Sequence, residues 1–137
     1  MKMKNVQQLI ENYGGLEKLR RAAEQGGDYI RIENPPFMRL VIEWIGPGEA
    51  DNSEQISIAH YYEQNGDAMR DPEITFEVDA SGEMKPLTFQ QDNVGIYWEL
   101  DTQAKRADAE EFCRMWDDNI KDQGFIDAYL ISDTEQA

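Results

Sequence analysis

His60 is the single histidine of the chain, and Tyr62, Asp67, Arg70, Asp71 and Glu73 follow it closely. Imidazole has an unperturbed pKa near neutrality, so a histidine beside carboxylates can bind a divalent cation or exchange protons with a substrate. Read for chemistry, His60, Tyr62, Asp67, Arg70 and Asp71 are the candidate binding residues, with Asp67, Met69, Arg70 and Asp71 on the tip of a loop longer than a two-residue hairpin needs. The same stretch also has a plainer reading. His60 shares one face of a predicted strand with Ile56, Ile58 and Tyr62, a place for a buried histidine hydrogen-bonded to a neighbour. Asn65, Gly66, Asp67, Asp71 and Pro72 are residue types that turns require.

Other chemistry is absent. One histidine excludes histidine-pair zinc motifs, and any Ser-His or Cys-His mechanism would depend on His60. None of Ser53, Ser57, Ser81 and Ser132 sits in a Gly-x-Ser-x-Gly elbow, and no glycine loop precedes a phosphate-binding lysine. Cys113, the only cysteine, can form neither an internal disulfide nor a multi-cysteine metal site, and beside Phe112 on a predicted helix it reads as a small packed side chain. No cofactor or metal is expected, and the chain reads as non-enzymatic.

The elements that would carry these residues follow from periodicity. Val6, Leu9, Ile10, Tyr13, Leu16, Leu19 and Ala23 recur at helical spacing, with a break expected at Gly14-Gly15 and an end at Gly26-Gly27. After an extended piece at 29–32, strands are expected over 38–44, 56–63, 73–78, 84–91 and 96–100, joined by short turns as an antiparallel meander. From Thr102, the residues Ala109, Phe112, Met115, Trp116 and Ile120 mark a long helix that ends at Gly124. Its Glu110-Glu111 and Asp117-Asp118 pairs read as a solvated face. The predicted fold is α+β, a sheet of about five strands with N-terminal and C-terminal helices on one face and Glu73, Glu77 and Glu99 on the open face. Residues 1–131 form one domain, with a short last strand or helical turn over 125–131, and 132–137 a frayed tail.

The chain has 137 residues, of which 28 are Asp or Glu and 13 Lys or Arg, for a net charge of -15. Residues 40–98 hold only Arg70 and Lys85 as cations, so direct nucleic-acid binding and attachment to anionic membranes are disfavoured. No apolar run approaches the roughly 20 residues of a membrane span, and the polar N-terminus has no apolar core of a secretory signal. A cytoplasmic setting is expected.

Three stretches, ISIAHYYEQNGDAMRDPEITFEV, QQDNVG and EFCRMWDDNIKDQGF, carry a resemblance over residues 37–125. They resemble an uncharacterised bacterial and mobile-element family, the domain of unknown function numbered 6908. The resemblance implies company on plasmids, conjugative elements and phages, transfers no catalytic residue, and leaves the N-terminal helix outside. Together with the charge it points to a small acidic interaction protein that binds a basic protein partner, in one form as a DNA mimic. The alternatives are a small-ligand or metal site centred on residues 60–73, and self-association through an apolar face including Trp44, Tyr97 and Trp98.

Overall fold

Gly14 and Gly15 take positive φ, 127° and 98°, and split the N-terminal helical stretch into α1 (Lys4–Tyr13) and α2 (Leu16–Gly26). Glycine reaches such angles without steric penalty, which is why the break falls there. The computed structural model describes the backbone of residues 1–136 and the side chains of residues 1–132. Six strands follow: β1 (Ile30–Asn34), β2 (Phe37–Pro47), β3 (Glu54–Gln64), β4 (Asp67–Val78), β5 (Met84–Gln91) and β6 (Ile96–Glu99). They form one antiparallel sheet in chain order, the expected meander. The strand beyond the expected number is β1, whose Ile30-Arg31-Ile32 pairs in register with Leu40-Val41-Ile42.

Register turns alternation into two faces. Ile30, Ile42, Ile58, Ile74, Phe89 and Trp98 stand opposite one another in sequence, forming one row across all six strands. The row beside it, on the other face, runs Arg31, Val41, Ala59, Glu73, Gln90 and Tyr97. Ile30, Ile42, Ile58, Ile74 and Phe89 of the apolar row, with their neighbours Ile32, Leu40, Ile56 and Phe76, are buried under the helices with Val6, Leu9, Leu19, Trp116, Ile120 and Phe125. Each fully buried aliphatic or Phe side chain contributes about 1.5–3 kcal/mol.

The C-terminal layer consists of α3 (Gln103–Asp122) and α4 (Phe125–Gln136). Thr102 accepts from the Lys105 N–H at 3.2 Å and starts α3; Gly124, at φ 87°, separates the two. Helical backbone therefore covers 125–136, where a short element and a frayed tail were expected, and Ala137 lies outside the described residues. Within α3, Asp117 is not on a solvated face. It is buried, its Oδ1 accepting from the Val6 N–H at 3.0 Å and its Oδ2 from the Asn5 N–H and Nδ2 at 3.1 Å each. Met3, the residue before α1, offers no side-chain acceptor, so a carboxylate from α3 satisfies the orphan N–H groups and meets the positive end of the helix. No described helix is long and apolar enough to cross a membrane.

Candidate functional site

The expected loop after β3 does not form. β3 and β4 meet in the two-residue turn Asn65-Gly66, both at positive φ (54° and 85°), as a tight hairpin of this hand requires. Ladder pairing then resumes early, and the slack is taken up by a bulge: Ala59 faces Glu73 while Tyr61 faces Arg70, which leaves Asp71-Pro72 opposite His60. Proline cannot donate to a ladder, so a bulge is where a strand tolerates it.

The hairpin distributes the candidate residues rather than gathering them. His60 points into the core, its ring 5.5 Å from that of Trp116 and 5.4 Å from that of Phe125. Its Nδ1 lies 3.1 Å from the Met38 carbonyl oxygen and 3.3 Å from that of Arg39, so Nδ1 carries the proton and donates. Burial pushes the imidazole pKa below 6.5, partly opposed by those backbone acceptors and by Asp71. Asp71 is half-buried and accepts from Gln91 Nε2 at 2.9 Å. Tyr62 is half-buried opposite Met69, and Asp67 is exposed at the hairpin tip opposite Gln64. Arg70 faces the other way: its N–H donates to Asp92 Oδ2 at 2.8 Å, and its guanidinium lies 3.6 Å from Asp92 and 3.7 Å from Glu73. His60, Tyr62, Asp67, Arg70 and Asp71 therefore do not converge on one ligand. Among the described residues no three His, Cys, Asp or Glu side chains converge where they could hold a metal ion.

On the uncovered face, Ser57 Oγ donates to Glu73 Oε2 at 2.8 Å, and burial followed by Glu73 pushes the Glu43 carboxyl pKa up. Burial and then Glu73 also raise the Tyr61 phenol, over which the Arg39 guanidinium lies at 5.6 Å. Arg31 bonds Glu33 at 2.8 Å. Glu73, Glu77 and Glu99 are on this face as expected, interleaved with Arg31, Arg39 and Arg70. Cys113 is buried and desolvated, its thiol pushed up to about 12, which leaves it without nucleophilic thiolate.

A different site forms where the helical layer runs out. Trp98 stacks on Phe89 at 5.4 Å, and Phe112 meets Phe89 edge-on at 5.8 Å. With Leu100, Ala109, Lys105 and Asp108 these rings line an apolar cleft of about 400 Å³. The cleft is of the size and chemistry of binding pockets, apolar walls with a few polar groups at the rim. Trp98 is 53% exposed and Tyr97, on the opposite face, 55%. The Lys105 ammonium is held by Asp101 at 3.1 Å, so the cation at the rim is already paired. Alternation assigns Phe89 and Trp98 to one strand face and helical spacing assigns Phe112 to the buried stripe, but neither says that cover stops short of Trp98. Trp44 does not join this surface. It packs on the core and donates from its indole to Glu54 at 2.8 Å, so Trp44, Tyr97 and Trp98 form no common apolar face.

No curated protein and no solved structure matches the chain. The sequence profile of a domain of unknown function (DUF6908) matches residues 4–126. That span takes in α1 and α2, which the resemblance over 37–125 left outside. Their place is physical as well, since Val6, Leu9 and Leu19 are core residues and Asp117 holds the start of α1. With α1, α2, the whole sheet and α3 inside that match, the chain belongs to the DUF6908 family.

Proposed function

We propose that the protein is a non-enzymatic interaction module that engages a basic protein partner at the end of its sheet. The observation that carries this reading is the cleft of about 400 Å³ beside the half-exposed Trp98, in a chain of net charge -15. Apolar side chains exposed together on a charged surface mark interaction sites, and aromatic residues are the usual anchors. Acidic surroundings add long-range attraction for a basic partner, which raises the association rate and fades with salt. Glu99, Asp101 and Asp108 are all exposed near the cleft. The non-enzymatic part rests on His60, the only imidazole, which is buried between Trp116 and Phe125. A basic surface held at a discrete cleft is favoured over imitation of DNA, because Arg31, Arg39 and Arg70 interrupt the carboxylates of the uncovered face. In the mobile-element setting that the resemblance implies, the partner would be a bacterial host protein.

The test is affinity capture from bacterial lysate at about 0.05 M and about 0.5 M NaCl, with wild type and Trp98→Ala as baits. The proposal expects a basic protein held by wild type at low salt, released at high salt and poorly held by Trp98→Ala. Equal capture by both baits would remove the cleft from the reading.

A further inference from the structure

Resting on that reading, we infer that the partner contributes an extended segment that adds to β6 as a seventh strand, with alternate side chains apolar and basic. β6 is the last strand of the sheet, and among the described residues no strand lies beside its outer edge. Its hydrogen-bond parity can be deduced. The Leu100 N–H donates to the Leu87 carbonyl at 2.9 Å, in the same register as the Phe89–Trp98 and Thr88–Glu99 pairs. Backbone groups in an antiparallel ladder point alternately toward and away from the neighbouring strand. Ile96, Trp98 and Leu100 therefore bond inward to β5, and Tyr97 and Glu99 turn their N–H and C=O groups outward. No backbone partner within the described residues takes those outward groups.

The side chains divide by the same parity. Trp98 and Leu100 line the cleft, whereas Tyr97 and Glu99 stand on the uncovered face, both exposed. A strand laid along β6 would place every second side chain over the cleft, where Phe89, Phe112 and Ala109 form an apolar seat. The intervening side chains would lie beside Tyr97 and Glu99, where a Lys or Arg meets a carboxylate and an aromatic face. Asp108 at the cleft mouth offers a second carboxylate to a basic residue next to the apolar anchor. Strand addition uses main-chain bonds for affinity and alternate pockets for selectivity, and β6 supplies both. The edge lacks the usual protection, since Ile96-Tyr97-Trp98-Glu99 contains neither Lys nor Pro, and its one charge suits a cation. A second copy of the chain is the poorer occupant, because two molecules of charge -15 repel and a second β6 would bring another Glu99 in place of a cation.

The experiment uses the full chain and a blocked peptide of about nine residues, with Lys alternating with Leu around a central Phe; its control is a scrambled peptide of identical composition. The alternating peptide is expected to bind about tenfold or more tightly than the control, and to slow amide exchange at Tyr97 and Glu99. Tyr97→Pro removes one outward donor and no bond to β5, so it should fold and lose about tenfold in affinity. Trp98→Ala should lose a similar factor, while Glu33→Gln on the opposite edge should stay within about twofold. Equal binding of the two peptides, unprotected Tyr97 and Glu99 amides in the bound state, or wild-type affinity in Tyr97→Pro would each overturn strand addition; a dimer with the same protected amides in the absence of peptide would assign the edge to a second copy instead. If lysate capture still returns a basic partner sensitive to Trp98→Ala, strand addition alone has failed. If capture also fails, the interaction reading falls with it.

Discussion

Ile30 and Trp98 are the two ends of one register row, yet Ile30 is 1% exposed and Trp98 is 53% exposed. At the β1 end, α4 packs against the strand and its first residue, Phe125, fills the space between Phe37 at 6.3 Å and His60 at 5.4 Å. On the uncovered face β1 also carries the exposed Arg31–Glu33 ion pair, and charged side chains on an edge strand discourage further pairing. At the β6 end, α3 covers Phe89 from one side, and among the described residues nothing comparable to α4 closes over Trp98. One alternation thus produces a sealed edge and an available one, and the difference lies in how far the helical layer reaches. Exposure of an aromatic at such a boundary is a property of the assembled layers rather than of its strand.

The largest expected contrast between the ends comes from truncating their anchors. Phe125→Ala should destabilise the fold by about 3–5 kcal/mol, because it empties a fully enclosed site. Trp98→Ala should lose only about 1–2 kcal/mol, chiefly the stack on Phe89 and part of its burial. Urea midpoints of the two variants decide it, and equal losses would mean that the two ends are closed alike.

Acid sharpens the contrast next, since the imidazole belongs to the sealed end. His60 titrates below 6.5 in the folded chain, so the unfolded state takes up its proton first as pH falls. Stability from this group is therefore complete above about pH 6.5, declines below it toward the folded pKa, and then levels. Between about pH 7.5 and about pH 5.5 the urea midpoint of wild type should lose ground to that of His60→Gln, which keeps a donor for the Met38 carbonyl. A difference between the two that does not change over that interval would contradict the buried, neutral assignment. The smallest effect on folding should come from Glu99→Lys, within about 0.5 kcal/mol by thermal melt. Its affinity for a cationic strand should nevertheless drop several-fold and lose salt dependence, whereas Glu33→Lys should leave binding nearly as it was.

Much of the fold is readable from local pattern. Alternation in β2, β3 and β5 places the core face, paired glycines locate the helix breaks, and Gly124 marks the end of α3. Pro72 is what obscures β4: a proline argues against a strand interior, although Asn65-Gly66 is itself a strong hairpin signal, and only the bulge reconciles the two. The candidate site was less legible. His60 is readable as either ligand or core residue, and the deciding fact is the arrival of Trp116 and Phe125 from 56 and 65 residues downstream. Asp117 looks solvated beside Asp118 because helical spacing cannot show that another helix begins against it. The cleft is illegible for the same reason: Phe89 and Phe112 sit at positions that pattern alone assigns to the interior, and Trp98 is read as exposed only in a face shared with Trp44 and Tyr97.

Asp117 also sets an order of events. α1 spans ten residues, too short to persist alone in water, and it is synthesised before the other described elements. The carboxylate that completes its first turn arrives 111 residues after Val6, near the end of α3. All six strands precede Asp117 in the chain, so they are synthesised while α1 still lacks its acceptor. A nascent chain stopped before Asp117 would contain every strand without a secured N-terminal helix, and α3 is the piece whose arrival secures it.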